Sequence, residues 1–600
     1  MTAQPAAAGA VSEDKPETVP GLFQQTANRR GDAPALHFRA GSGWVAISWA
    51  DYAKAVSRFA NALLQEGVQP GDRVAIWAGN RPEWQIADLG ITHTGAVTVA
   101  IYPTLAPGQV RYLLAHSQSR VLVLANREQL DQLAQMRDEL PELRRVLLLD
   151  GEASQAEGWS TTWDAYLRAG DAYGRIRPGQ LLDRWQAVTP QDMASLIYTS
   201  GTTGLPKAAI LTHRNLTWTV SATMLAHFGS EEDRLISYLP LAHVLERVVS
   251  HMRQLQTGCE VYFSPAVDQV AAVARQVRPT YLTSVPRLWE KMYAGVRARM
   301  DEVRGPRRLV RDFALRAGAA RTRAYERRRP PSFLLRRRWA IADRLVCRPV
   351  RQALGLDQAR VCISGSAPIS PEVLRFFYGL GVEILEGYGL TETTAPATVN
   401  RPGEARFGTV GPALPGVEIR IAGDGEILIK GPNVFAGYFK DEAATAEALV
   451  DGWLRTGDVG VLDDGFLRIT DRKKDLFKTS GGKYVAPGAI ENGLNGRRGI
   501  AQVVVLGDGR PFVAALVTLD PDVPAAGGGP NDPAVQRLVE DAIHEVNREL
   551  SHPEQIKRWK ILDSSFQVGE ELTPTMKVKR KVVAEKYRAQ IEELYSAQRD

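Results

Sequence analysis

Residues 196–211 read Leu-Ile-Tyr-Thr-Ser-Gly-Thr-Thr-Gly-Leu-Pro-Lys-Ala-Ala-Ile-Leu, and this stretch limits the fold more tightly than any other. It reads as an apolar strand, a loop of hydroxyls and glycines, one lysine, and an apolar return. Three Thr, one Ser, two Gly and a Lys fall within nine positions, too dense a pattern for an ordinary flexible turn. Such a loop can turn several backbone N–H groups toward one anion, with hydroxyls and an ammonium as further donors. Thr199, Ser200, Gly201, Thr202, Thr203, Gly204 and Lys207 are therefore candidate phosphate contacts. A Walker A loop is excluded, because Gly204 is followed by Leu205 where that loop needs a lysine.

The surroundings alternate helix and strand signals. Ser48 and Asp51 form a capping box, and Tyr52, Val56, Phe59 and Leu63 follow at helical spacing. Gly67, Pro70 and Gly71 stop that helix, and Val74, Ala75, Ile76 and Trp77 read as a buried strand. Similar apolar runs occur at 120–125, 145–149 and 281–285. This order predicts layered α/β structure with largely parallel sheets. From Val417 the pattern changes to short strands and Gly-rich turns, as at 426–430 and 466–470. Beyond Asp471 a compact α+β unit is expected. It has strands at 501–506 and 512–519, and a helix whose stripe is Val535, Leu538, Val539, Ala542, Ile543, Val546 and Leu550. Six hundred residues also exceed one core, since single cores stop growing near ~250–300 residues. No repeat of fixed period is present.

Composition excludes several classes. With 44% hydrophobic and 24% charged residues the chain is globular, and no run reaches the ~18 apolar residues of a membrane span. The first twenty residues lack a basic start and an apolar block, so they read as a disordered tail rather than a secretory signal. Cys259, Cys347 and Cys362 are far apart and form no CxxC pair. A reducing, cytoplasmic setting fits them better than a disulfide framework or a zinc site. The net charge of +6 is unevenly spread. Residues 304–351, which open on Arg304 and close on Arg351, hold sixteen arginines against three acidic residues.

Further motifs follow in a fixed order, and with them the chain resembles the AMP-forming adenylating enzymes. That superfamily includes acyl-CoA synthetases, luciferases and peptide-synthetase adenylation domains. Tyr198-Thr199-Ser200-Gly201-Thr202-Thr203-Gly204-Leu205-Pro206-Lys207 resembles its phosphate-binding signature. Gly365-Ser366-Ala367, after the strand at 361–363, resembles the adenine-side loop. Glu386-Gly387-Tyr388-Gly389-Leu390-Thr391-Glu392 resembles the loop that places an aromatic near adenine; GYG there is no dinucleotide fingerprint, since the third glycine is missing. By this resemblance Thr391 contacts phosphate and Glu392 holds Mg²⁺, a hard cation that takes carboxylate and phosphate oxygens. Thr456-Gly457-Asp458 resembles the motif whose acid accepts both ribose hydroxyls. Arg472 is implied as a second ribose contact and Lys474 as the hinge pivot. Leu572-Thr573-Pro574-Thr575-Met576-Lys577 resembles the catalytic-lysine motif, with Met576 where the family usually has Gly.

The resemblance covers residue 21 to the C-terminus. It implies a large domain over 21–470, with α/β subdomains and a β-rich one, and a small mobile domain over 471–600. It also implies ATP and Mg²⁺, with CoA as co-substrate approaching Ser480, Gly481, Gly482 and Lys483. Leu239-Pro240-Leu241-Ala242-His243-Val244-Leu245-Glu246-Arg247 matches the gate motif of long-chain fatty acyl-CoA synthetases, with His243 near the acyl carbonyl. The segment 478–487 matches that branch too, although Gly488 and Ala489 depart from its bulkier residues.

The expected substrates are thus a fatty acid and CoA. The alternatives are an acyl-AMP ligase serving a carrier-protein thiol, or a basic adaptor without chemistry. Nucleic acid is not expected, because the aromatics of the Arg-rich segment follow a helix face rather than a stacking platform. Leu335, Trp339, Ala342 and Val346 form that stripe, which is expected to lie on an anionic bilayer at the inner face of the membrane. Chain length and oligomeric state are not fixed by the sequence.

Overall fold

The computed structural model describes residues 17–41, 43–152, 158–199, 205–227, 229–495, 497, 499–520, 529–567, 569–573 and 578–596. Helix Val19–Arg30 opens the described chain, capped by the Thr18 hydroxyl, with Val19 buried. The tail expected over residues 1–20 therefore ends before Val19, because that side chain joins the core; residues 1–16 lie outside the described part.

The apolar runs form one eight-stranded sheet. Its order is Gly437–Tyr438, Lys207–Thr212, Met193–Thr199, Val97–Ile101, Arg73–Trp77, Val121–Leu124, Arg145–Leu148 and Ser160–Thr162. From Met193–Thr199 to Ser160–Thr162 every pairing is parallel, and Lys207–Thr212 returns antiparallel. Both faces are covered. Val74 and Ile76 pack in one core with Trp49, Phe59 and Trp84, while Ala75 and Trp77 pack in another with Leu113 and Leu133. Burial on both faces is why these strands read as unbroken apolar runs.

A second sheet, Arg234–Ser237, Glu260–Phe263, Pro34–Ala40 and Gly43–Ser48, contains a hairpin that sequence patterning did not signal. Its second strand carries Trp44, Val45, Ala46 and Ile47 in succession, yet no residue of it is fully buried. A third sheet, Tyr281–Ser284, Val361–Ser364, Ile384–Leu390 and Ala395–Val399, carries the loops expected on the adenine side. The β-rich part pairs Glu418–Ile421, Glu426–Lys430, Trp453–Asp463 and Phe466–Arg472. After Arg472 comes the smaller unit. There Ile500–Leu506, Val513–Leu519 and Ile556–Ile561 lie between helix Pro533–Asn547 and helices Arg580–Lys586 and Arg588–Ser596. The architecture is mixed α/β, with a large N-terminal part and a smaller C-terminal α+β part.

One charged cluster sits in the main core. Asp88, Arg247 and His251 are fully buried. Arg247 reaches Asp88 at 2.5 Å and donates to the Ser195 hydroxyl at 2.6 Å, while His251 Nε2 lies 3.1 Å from Asp88. Burial would push the Asp88 carboxyl up, but Arg247 and His251 overcome it and hold the group at about 2.

Removing one member leaves an unpaired buried charge, which costs about 3–5 kcal/mol. Arg247→Met should lower the urea midpoint accordingly, and an unchanged midpoint would contradict the pairing. The Asp88 carboxyl is depressed below the free value of about 3.9. Its contribution to stability should therefore be intact above pH ~4 and fade as the pH falls toward 2.

Candidate active site

Strand Met193–Thr199 delivers Thr199 to the edge of the loop expected to bind phosphate, and strand Lys207–Thr212 begins with the lysine. Thr199 Oγ1 donates to the Lys207 carbonyl at 3.4 Å, closing the base of the loop. Ser200, Gly201, Thr202, Thr203 and Gly204 lie outside the described residues. Lys207 Nζ stands 3.8 Å from Asp441 and 5.4 Å from the centre of the Tyr438 ring.

Tyr438 is a site residue that the motifs did not reveal. Its strand pairs with the lysine strand, Tyr438 opposite Ala209, and its hydroxyl donates to Glu392 at 2.7 Å. Burial, then the Glu392 charge, push the phenol well above its ordinary range, so it stays a donor. Lys207 and Glu392 are thereby brought together across one tyrosine. The only sequence signal was the aromatic run Phe435–Lys440, whose partner lies 46 residues away.

The strand Ile384–Leu390 and the turn Thr391–Thr393 carry the next group. Tyr388 is buried and donates its hydroxyl to Asp458 at 2.6 Å. Arg472 Nε approaches the other Asp458 oxygen at 3.2 Å, the two residues being register partners. Asp458 is set by its own turn, where Thr456 accepts from the Asp458 amide and donates to the Ile427 carbonyl. A carboxylate offers about four acceptor positions, the chemistry that a ribose diol needs. Gly389 cannot be replaced: a Cβ there would stand 1.6 Å from the Ala395 carbonyl oxygen. Gly387 lies on the same strand, and Thr391 is half-buried at its end.

The loop after strand Val361–Ser364 comes alongside. Gly365 donates to the Ser284 carbonyl at 3.1 Å. A Cβ on Gly365 would lie 3.6 Å from the Gly387 carbonyl oxygen and 3.8 Å from Leu245. Ser366 takes φ +69°, a left-handed conformation rare for a non-glycine and concentrated at ligand sites. Ala367 is exposed.

Through Leu245 the gate segment joins this group. His243 caps the short helix Val244–Glu246, its Nδ1 accepting from the Leu245 amide at 3.1 Å. Glu246 is buried, and burial pushes its carboxyl up to about 7 against hydrogen bonds from Ser237 and Ser250. Asn80 holds the gate from outside the motif: its amide donates to Ser237 and the Leu239 carbonyl, and its oxygen accepts from the Leu241 amide. Nothing local to Asn80 could have signalled this.

In the smaller unit Ser480, Gly481, Gly482 and Lys483 form the exposed tip between strands Phe477–Lys478 and Tyr484–Val485. Thr479 donates to the Lys483 carbonyl, and Ser480 to that of Arg510. Lys474 is exposed in the turn after Arg472. Gly488 donates to Asp471 at 2.8 Å, and a Cβ there would approach that carboxylate at 3.2 Å, which accounts for its small size. Lys577 lies outside the described residues. Of its basic neighbours, Lys579 donates to the Gly569 carbonyl and Arg580 forks onto Glu491.

Residues 23–439 match the AMP-binding enzyme family, and residues 474–599 match the AMP-binding enzyme C-terminal domain. The chain belongs to the AMP-binding enzymes. Long-chain-fatty-acid–CoA ligase FadD15 of Mycobacterium bovis is 38% identical over 92% of this chain and 93% of its own. The ligase ACSBG2 of Xenopus laevis is 31% identical over 97% and 84%. Among solved structures, the anthranilate CoA ligase AuaEII with anthranoyl-AMP superposes with TM-score 0.73 at 20% identity, covering 97% of this chain and 100% of that one. The A-PCP didomain of the carboxylic acid reductase from Segniliparus rugosus, in complex with AMP, gives 0.76 at 21% identity over 98% and 83%.

Tyr388→Phe keeps the ring and removes the hydroxyl bond to Asp458. Calorimetry should show AMP binding weakened about tenfold, the worth of one hydrogen bond to a charged group. Unchanged affinity would show that Asp458 needs no positioning by Tyr388.

Proposed function

We propose that the protein is an AMP-forming long-chain fatty acid–CoA ligase using ATP and Mg²⁺. The observation that carries the reading is the single strand and turn at 384–393. It leads one end to Tyr388, Asp458 and Arg472 and the other to Glu392, Tyr438 and Lys207. These suit a ribose and a phosphate chain, respectively. The fatty-acid and CoA specificity is supported by relatives similar along most of the chain.

In the first half-reaction a carboxylate oxygen of the fatty acid attacks the α-phosphorus of ATP. The bond to the β-phosphate breaks and pyrophosphate leaves. Two anions must approach, so positive charge and donors must already point at the developing charge. Lys577 bridges the substrate carboxylate and the α-phosphate, and Lys207 with the phosphate loop holds the departing pyrophosphate. Glu392 fits Mg²⁺ as one carboxylate beside substrate phosphates, since this ion keeps several waters and takes few protein ligands; when bound, it neutralises charge on the polyphosphate. Among the described residues no group of three or more His, Cys, Asp or Glu side chains converges as a cation cage. Asp458 and Arg472 hold the ribose, while Gly365, Ser366, Ala367, Gly387, Tyr388 and Gly389 frame the adenine.

In the second half-reaction the CoA thiol attacks the acyl carbonyl, loses its proton, and AMP leaves with the acyl–phosphate oxygen. The small domain turns about Lys474, withdraws Lys577 and brings Ser480, Gly481, Gly482 and Lys483 to the pantetheine arm. His243 positions the acyl carbonyl. The enzyme works in the cytoplasm, peripheral to the inner face of a membrane in which its substrate is dissolved. Among the described residues no helix is long and apolar enough to cross a membrane.

Product analysis with ATP, Mg²⁺ and palmitate tests the reading. AMP and palmitoyl-CoA should form only when CoA is added. An acyl-adenylate that accumulates equally with and without CoA would point instead to a carrier-protein acceptor, and no AMP with any fatty acid would overturn the assignment. Lys577→Ala should slow adenylation by at least about a hundredfold and leave thioester formation from supplied acyl-AMP near wild type. Equal losses in both steps would contradict the division of labour.

A further inference from the structure

The arginine-rich segment folds as two packed helices. The first is Pro306–Glu326. The second, Phe333–Ala342, runs on through Asp343–Cys347 into Arg348–Leu354. The pair is seated on helix Pro371–Gly379. A Cβ on Gly318 would stand 2.8 Å from the Gly379 carbonyl oxygen, and the Trp339 indole donates to that same oxygen at 3.2 Å. Leu335, Trp339, Ala342 and Val346 all face the protein, Ala342 fully buried against Ala314 and Ala317. The stripe expected to meet a bilayer is therefore the inner seam of the hairpin.

A second apolar stripe lies one residue away, about 100° around the helix. Leu334, Ile341 and Leu345 stand 63%, 53% and 55% exposed, with Phe333 at 62% beside them. Between them Arg337, Arg338, Arg344 and Arg348 are exposed. The segment's acidic residues do not offset this charge. Asp312 holds Arg311 at 2.7 Å, Asp343 holds Arg351 at 2.6 Å, and Glu326 is taken by Arg375 at 2.8 Å. Thirteen of the sixteen arginines are exposed.

We infer that this outer face docks on an anionic lipid bilayer, with Leu334, Ile341 and Leu345 set among the acyl chains. Arg337, Arg338, Arg344 and Arg348 then sit at the level of the headgroup phosphates. Charge complementarity selects the occupant. Guanidinium groups recognise phosphates, and aliphatic side chains among them need an apolar phase beneath that phosphate layer. A nucleic acid supplies phosphates without such a phase, and its bases need stacking rings. The ring on this face, Phe333, is already covered by Arg337 at 4.6 Å. The biological sense of the docking rests on the fatty-acid reading above, because that substrate partitions into the same bilayer.

Co-sedimentation of the full chain tests the face, using vesicles of phosphatidylcholine with and without an equal part of phosphatidylglycerol. The protein should pellet with the anionic vesicles. Exchanging Leu334, Ile341 and Leu345 for Ser should weaken partitioning about tenfold or more. Exchanging Arg337, Arg338, Arg344 and Arg348 for Gln should weaken it about a thousandfold. Both variants should keep the wild-type thermal midpoint and form acyl-CoA from detergent-dispersed fatty acid at wild-type rates. Equal pelleting by either variant would overturn the inference, as would a wild-type protein that binds a DNA duplex but no vesicle. Vesicle binding that needs this face in a protein forming no acyl-CoA would uphold the docking surface and refute the ligase reading.

Discussion

The carboxylate of Asp458 is the point on which the site depends. One oxygen receives the hydroxyl of Tyr388 from the third sheet, and the other lies against Arg472 at the end of the last strand of the β-rich sheet. The side chain is almost fully buried, so its charge needs both partners. Three separately coded parts of the chain are thereby placed in a single geometry. The chain leaves the β-rich part directly after Arg472, so the route into the smaller unit starts from a residue already fixed on this carboxylate. A nucleotide ribose arriving here would meet an acceptor that is charged and oriented.

Rigid elements hold the rest of the site in the same way. Tyr438 links Glu392 to Lys207 through a short strand added to the edge of the main sheet. Asn80 fixes the gate loop by three hydrogen bonds, and Arg247 anchors the end of that motif in a dry charged cluster with Asp88 and His251. Such buried networks constrain geometry strongly because leaving any member unpaired is costly. The gate is consequently a pinned element whose own helix is capped by the histidine proposed to meet the acyl group.

Much of this was legible in the sequence, and the boundary of legibility has a physical cause. Parallel strands buried on both faces appear as apolar runs, and loops for phosphate or ribose concentrate hydroxyls, glycines and carboxylates within a few residues. The missed contacts are those fixed by tertiary structure. Tyr438 reaches Glu392 across 46 residues, and Asn80 reaches Leu239 across 159. The hairpin Pro34–Ala40 and Gly43–Ser48 went unseen because its apolar run, Trp44 to Ile47, is too short to separate a strand from a buried helix segment by periodicity. In the arginine-rich helix the periodicity was real, but two apolar stripes one residue apart cannot be ranked by sequence alone. The helix Pro371–Gly379 decides which one is buried, and the other is left to solvent.

The central claim is that Asp458, Tyr388 and Arg472 receive one end of an acyl-adenylate while the gate segment receives the other. A crystal structure with a non-hydrolysable acyl-sulfamoyl-adenosine tests it most directly. The account predicts both ribose hydroxyls within hydrogen-bonding distance of Asp458, the adenine between Tyr388 and the Gly365–Ala367 loop, and the acyl carbonyl beside His243. A ligand seated away from Asp458, or an acyl chain leaving the site without passing the gate, would contradict it.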